Sequence, residues 1–448
     1  MKCTAPRLLL AFILLFSVYS GAAQLACQPM VGHVGLRDAR IWIQSEAPCR
    51  ATIVCWADSM GDAPTEVLVA TEQELSRAHA NTATFDLGDL QPGTGYRFQV
   101  LINDERVVQG IDTTLQRFTT QPLWQYRFDP PSFTVALGSC AFINEPKFDR
   151  PGRPYGGGYE IFDGIAGLEP DLMLWLGDNV YFREVDFYSR SGMQHRYSHL
   201  RRLPELQRLL GSCPHYAMWD DHDYGPDNSD GSWVHKDWAA ETFGDFWANP
   251  SQGLPALQYQ GVTTSFKYHD VDFFLLDNRS FRVNHDNITQ QPQVLGPDQV
   301  NWLIQALQYS RAPFKVIAVG GQFLSDFAGY ENMALYPEER DGILERIAEE
   351  DIRGVVFLSG DRHNSELTEW EGSNGRKVVD FTCSALTSGT YDHSDEPNTR
   401  RVAGTMVGTR NFGTLEVTGT RKERVMTLRT HDAKGQVIWT RAYKASDL

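Results

Sequence analysis

The sequence predicts a layered α/β domain preceded by a small β-sandwich, and three observations carry the prediction. Five apolar, strand-like runs, at residues 132–137, 171–176, 216–219, 314–319 and 354–358, each end in a short polar cluster. Between them lie helical patterns, the alternation expected of α/β layers. Ahead of residue 121 the runs are instead short and alternating, with turn signals between them.

Taken in order, Lys2 and Arg7 precede the apolar run 8–18, and Gly21-Ala22-Ala23 offers small residues for cleavage, so 1–23 reads as a secretory signal peptide. The run is short for a membrane span. The mature protein is therefore expected to be secreted or periplasmic, with no integral membrane segment. Cleavage before Cys27 would create a lipoprotein, but Gln24 stands where a branched apolar residue is expected, which argues against lipidation.

Residues 24–120 contain alternating runs such as Ala39-Arg40-Ile41-Trp42-Ile43. Leu90-Gln91-Pro92-Gly93-Thr94-Gly95 is a turn signal feeding a strand with an inward tyrosine, Tyr96. A fibronectin III-type or immunoglobulin-like sandwich is expected. The Pro-containing stretch 121–131 reads as a linker, and 132–448 as the layered domain. Leucines at 203, 206, 209 and 210 predict a helix over 201–210; Pro297 predicts the first turn of another over 297–310. Beyond Gly404, alternating runs predict strands that close the domain, the alternative being a separate small β module.

The formal net charge is −16. With no basic stripe, neither nucleic acid nor an anionic lipid surface is expected as a stable partner. Export permits disulfides, and Cys27 with Cys49 or Cys55 is the expected source of one, its connectivity left open. Sequons stand at Asn278 and Asn287.

In α/β proteins the carboxyl ends of buried strands converge on one crevice, so the five polar clusters together predict a polynuclear metal site. Asp178 follows a strongly apolar strand and needs a partner or a metal there, although Gly-Asp is also an ordinary turn pair. Cys140 is read as a thiolate ligand, with a structural thiol or a nucleophile as alternatives. Asp220-Asp221-His222-Asp223, followed by Asp227 and Asn228, concentrates acid whose repulsion calls for cations. His222 is a candidate proton donor to a leaving alkoxide. Asp361 and His363 are expected on one side of an extended segment. Gln322 is a weaker member of the set. Arg279 is a candidate clamp for a phosphoryl group or a partner of Asp277.

The motifs Gly138-Ser139-Cys140, Gly177-Asp178-Asn179-Val180-Tyr181, Trp219-Asp220-Asp221-His222-Asp223 and Ser359-Gly360-Asp361-Arg362-His363, in this order, resemble the alkaline phosphatase D (PhoD-like) family of metallophosphatases. The resemblance runs from about residue 132 to the C-terminal strands, and the sandwich resembles that family's accessory domain. It implies a calcineurin-like four-layer α/β/β/α sandwich and hydrolysis of phosphate esters by a metal-activated hydroxide, as alkaline phosphatase and/or phosphodiesterase. Ferric iron (Fe3+) held by Cys140, Asp178 and Tyr181 is implied, with Asp178 bridging to a second metal, calcium (Ca2+), served by Asp221 and Asp361. His363, Asp220 and Asn228 complete the candidate metal set, and Arg279 would neutralise developing charge. Zinc (Zn2+) and manganese (Mn2+) remain compatible with these donors. The wider metallophosphoesterase pattern has Asp-x-His and Gly-Asn-His where this chain has Gly138 and Cys140, and Asp220-Asp221-His222. Rival readings are a phospholipase D-like or other phosphodiesterase and, remotely, a non-catalytic surface-binding protein; the oligomeric state is left open.

Overall fold

The computed structural model describes residues 24–61, 69–254 and 261–448. The expected signal peptide lies outside the described residues.

The N-terminal region is built from β1 (Met30–Val34), β2 (Ala39–Gln44), β3 (Cys49–Ala57), β4 (Val69–Leu75), β5 (Thr82–Leu87), β6 (Gly95–Ile102), β7 (Glu105–Arg106) and β8 (Arg117–Thr119). They form two antiparallel sheets, β1-β2-β5 and β4-β3-β6-β7 with β8 beside β6. Period-two alternation explains the packing: Tyr96, Phe98, Val100 and Ile102 of β6 are buried, and the residues between them are partly exposed. The Tyr96 hydroxyl accepts the Gln91 N–H at 2.7 Å, fixing the turn that feeds the strand.

The expected disulfide is absent, since all six described cysteines are free and buried. Cys49 and Cys55 face the sandwich core, whereas Cys27 packs in a different apolar cluster with Met30 and Trp42. Each thiol serves as a small apolar side chain in its own core.

The larger region contains β9 (Phe133–Gly138), β10 (Leu172–Leu176), β11 (His215–Met218), β12 (Thr264–Tyr268), β13 (Val271–Leu275) and β14 (Lys315–Ala318). It continues with β15 (Val355–Ser359), β16 (Glu366–Glu371), β17 (Lys377–Thr382), β18 (Asn411–Thr418), β19 (Val425–Asp432) and β20 (Val437–Lys444). These make two six-stranded sheets, ordered β11-β10-β9-β18-β19-β20 and β12-β13-β14-β15-β17-β16. The C-terminal strands thus complete the first sheet, with β18 antiparallel to β9, and are not a separate module. Seven helices accompany them among the described residues: α1 (Ile161–Gly167), α2 (Arg190–Arg201), α3 (Gln207–Ser212), α4 (Asp221–Tyr224), α5 (Lys236–Phe246), α6 (Pro297–Tyr309) and α7 (Pro337–Glu349).

Alternation along each buried strand generates four layers. Leu172, Leu174 and Leu176 of β10 point into the core between the sheets, while Met173 and Trp175 pack in the outer cluster with residues of α1, α2, α3 and α5. In β15, Val356 and Leu358 face the inter-sheet core, and Val355 and Phe357 pack with residues of α6 and α7. Both faces of β10, β11, β14 and β15 are covered, which is why these strands read as continuous apolar runs, whereas β20 keeps an exposed face.

The helix expected over 201–210 begins only at Gln207. α2 ends at Arg201 and α3 starts at Gln207, with a short 3-10 turn at Pro204–Leu206 between them. Pro204 lacks an N–H and holds Leu203 extended, at φ −61° and ψ 123°. No described helix is long and apolar enough to cross a membrane.

Candidate metal centre

Three strand ends turn sharply before delivering their side chains. Cys140 after β9, Asp178 after β10, and Asp361 and His363 after β15 all have φ between 51° and 62°. Non-glycine residues in this left-handed region cost about 1–2 kcal/mol each, and such strain gathers where a site needs it. Gly177 precedes Asp178 with φ 89°, and a Cβ there would come within 3.0 Å of the Asp220 backbone nitrogen. The strand ends come from both sheets, β9, β10 and β11 in one and β14 and β15 in the other.

Their side chains form a continuous group. The Tyr181 hydroxyl lies 3.1 Å from Asp178 Oδ2 and 3.1 Å from His363 Nε2. Cys140 Sγ is 3.5 Å from the same Asp178 oxygen. Among the described residues, three clusters have donor atoms within 4.8 Å of one another: Cys140, Asp178 and His363; Asp178, Asp221 and His222; and Asp220, Asp221 and Asp361. Asp178 belongs to the first two and Asp221 to the last two.

Several expectations change in three dimensions. Asp361 and His363 do not share one side of an extended segment; the turned backbone sends Asp361 toward Asp220 and Asp221, and His363 toward Cys140 and Asp178. Asp220 is the N-cap of α4, and its backbone N–H donates to Asp223 Oδ1 at 2.6 Å. Asp223 also accepts the Asn179 N–H at 3.0 Å, so it braces two strand ends. Asn228 is exposed, and what it gives the cluster is a backbone N–H donated to Asp221 Oδ2 at 2.7 Å; its side-chain amide donates to Asp227. Gln322 turns away, donating to Glu366 at 2.7 Å and Thr382 at 3.1 Å.

Arg279 is 1% exposed and does not present a clamp to a substrate. Its guanidinium pairs with Asp220, lies 3.7 Å from Asp221 and donates to Glu331 at 2.9 Å. Only its backbone N–H reaches Asp277, at 3.0 Å. Asn278 is buried with its amide on Asp220 at 2.7 Å, which removes that sequon as an acceptor.

Four contributors escaped the motif reading. Ser384 donates to Cys140 Sγ at 3.0 Å and accepts the His363 N–H at 3.0 Å. Tyr155 and Ser388 hydroxyls lie 3.1 and 3.3 Å from His363 Nδ1. Glu331 is the remaining carboxylate on Arg279. Ser384 was accessible to the strand-end argument, since it follows the apolar-rich 377–382 run; Tyr155 and Ser388 lie in loops with no such signal.

Burial dominates the electrostatics. It pushes the Cys140 thiol up to about 12 and the Tyr181 phenol well above its ordinary value. Burial and then the neighbouring Asp221 hold the Asp178 carboxyl well above the usual range, and burial with Asp220 and Asp221 raises Asp361 to about 7. Asp221 goes the other way: burial opposes its ionisation, but His222 and Arg279 outweigh it. Asp220 is raised by burial despite Arg279, and its Oδ2 is buried without a hydrogen-bond partner. Crowded carboxylates and an orphaned oxygen are what a bound cation relieves, so the residues fit a metal site. The thiol, phenol and imidazole suit a transition metal such as iron, and the carboxylates a harder ion such as calcium.

The model of the PhoD-like phosphatase family matches residues 135–431, and that of a domain of unknown function (DUF7800) matches residues 22–120. Alkaline phosphatase D of Bacillus subtilis (strain 168) is 22% identical over 311 residues, covering 58% of this chain and 51% of that protein. The match therefore spans about half the length of that relative. A solved structure of PhoD superposes with a TM-score of 0.74 at 16% identity, covering 94% of this chain and 90% of that one. Purple acid phosphatase PPD1 from yellow lupin (Lupinus luteus) seeds gives a TM-score of 0.64 at 11% identity, covering 93% and 74%. At such identities the superpositions speak for the fold, a calcineurin-like layered sandwich behind an N-terminal β-rich region, as the motifs imply. Because the family model takes in more than half of the residues, including every strand end that feeds the donor group, the chain belongs to the PhoD-like phosphatase family.

Proposed function

We propose that the chain is a metal-dependent phosphoric ester hydrolase, acting as an alkaline phosphatase and/or phosphodiesterase in a secreted or periplasmic setting. The observation that carries this reading is Asp178, whose carboxylate belongs both to the cluster with Cys140 and His363 and to the cluster with Asp221 and His222. A carboxylate so shared suits two adjacent cations.

Cys140, Tyr181 and His363 would hold iron on one side of Asp178; Asp220, Asp221 and Asp361 would hold calcium on the other. Bound ions supply Lewis acidity toward phosphoryl oxygens and lower the pKa of water. Around them the chain's own groups have separate tasks. Tyr155 and Ser388, at His363 Nδ1, orient that ring so that Nε2 faces the cluster. Arg279 balances Asp220 and Asp221 from behind. His222 is half-buried in the wall of a cavity of about 470 Å³, its ring 4.2 Å from that of Tyr181. Its Nε2 lies 3.5 Å from Asp227 Oδ1, a position from which it can carry a proton to a departing alkoxide.

Elemental analysis of the purified protein, paired with hydrolysis of a phosphomonoester and a phosphodiester with and without added calcium, tests the reading. Iron in the protein and calcium-stimulated turnover are expected. Absence of turnover on both esters after reconstitution with metals would overturn it.

A further inference from the structure

The cavity beside the donor group is larger than a phosphoryl group requires. Its volume of about 470 Å³ lies within the usual ~300–1,000 Å³ of small-molecule sites. Tyr181 and His222 form part of its wall, so it is continuous with the cluster, and the other aromatic rings lining it include Phe142, Phe148, Tyr155, Phe187 and Tyr391.

One wall is rigid. The Arg183 guanidinium lies 3.8 Å from the Phe142 ring centroid and is itself buried, held by Asp149 at 2.9 Å and by the Ile143 carbonyl at 2.9 Å. Phe142 also meets Tyr155 edge-on, with centroids 5.0 Å apart. Such preorganised aromatic surface binds planar groups with little loss of conformational freedom. At the rim, Arg153 is exposed and has no ion pair among the described residues, while Arg150 has only a 3.4 Å contact with Glu184. Asp227 and Glu184 also line the cavity, and the chain's net charge is −16, which disfavours a polyanionic polymer.

We propose that this cavity receives the alcohol portion of the ester through a planar aromatic group, a heterocyclic base or a phenyl ring, so that small nucleoside or arylalkyl phosphates are preferred to simple sugar or alkyl phosphates. The inference rests on the phosphoesterase reading above.

The test compares kcat/KM of the metal-loaded enzyme within two pairs matched in leaving-group chemistry. Adenosine 5′-monophosphate against ribose 5-phosphate reads a base; 2-phenylethyl phosphate against butyl phosphate reads a phenyl ring. A preference of about tenfold or more for the aromatic member of at least one pair is expected, the size that stacking on aromatic side chains supplies. Phe148→Ala and Phe187→Ala should each lower that ratio, and a ratio is insensitive to the fraction of enzyme that folds. Ratios near one with all four esters hydrolysed, or a preference unchanged in both variants, would overturn the cavity assignment alone. Hydrolysis of none of the four would overturn this inference alone if a phosphodiester is still hydrolysed, and would remove the phosphoesterase reading with it if no phosphodiester is hydrolysed either.

Discussion

Cys140, Tyr181 and His363 surround one side of Asp178, whereas Asp220, Asp221 and Asp361 gather on the other, and the two sides manage burial differently. On the first side the thiol and phenol are pushed so far up that both stay protonated at neutral pH, and hydrogen bonds from Ser384 and beside Tyr155 satisfy the group. On the second side Asp221 stays ionised, and a fully buried arginine, Arg279, is packed against the acids. The difference teaches that one side carries its burial as a neutral thiol and phenol, while the other sets an ionised carboxylate against a buried guanidinium.

Asp178→Asn strikes the residue common to both sides and should have the largest effect. Turnover is expected to fall by on the order of 10³-fold or more, as for loss of several kcal/mol of metal-assisted stabilisation, with near-UV circular dichroism unchanged. Full turnover in this variant would end the idea of a shared carboxylate. Arg279→Met tests the permanent cation: it leaves Asp220 buried without its guanidinium, while Glu331 keeps Arg282 at 2.7 Å, at a cost of about 3–5 kcal/mol in denaturant unfolding. A loss below about 1 kcal/mol would show that the acidic side folds without it.

Cys140→Ser sharpens the contrast between the sides. Iron per chain should drop while calcium stays the same, both read by elemental analysis; an equal fall of the two would mean that they are not held separately. The smallest effect is a pH dependence of the chelator-treated protein. The Asp361 pKa rises from 3.8 to about 7 on folding, so its contribution to stability is full below pH 3.8 and is lost as pH climbs to about 7. In Asp361→Asn that contribution disappears, and the melting temperature of the metal-free protein should decline less between pH 4 and 7 than in the parent. Parallel melting curves for the two proteins would discount the raised carboxyl.

Much of the fold was legible because burial leaves a pattern in the chain. Runs such as Leu172-Met173-Leu174-Trp175-Leu176 are apolar throughout because each face of the strand meets a different core. Tyr96 and Pro297 announced local geometry that depends on only a few neighbours. The leucines at 206, 209 and 210 are buried as their spacing required, yet Pro204 sets them off from Arg201 and Leu203, so the helix starts at Gln207. The expectation of a disulfide from export misled, because a thiol packs as readily as it bonds and Cys27 belongs to another core.

By itself the sequence determined the alternation of strands and helices, the strand ends that carry the clustered side chains, and the chemistry those side chains offer. Each depends on residue type and period, which are local. Only the tertiary structure decided that Asp361 and His363 part company, that Arg279 turns inward to Asp220 and Glu331, that Gln322 serves Glu366, and that Tyr155 and Ser384 support the cluster. Those outcomes depend on backbone turns with positive φ and on segments hundreds of residues apart meeting at the carboxyl ends of strands in two sheets, and no spacing in one chain records such a meeting.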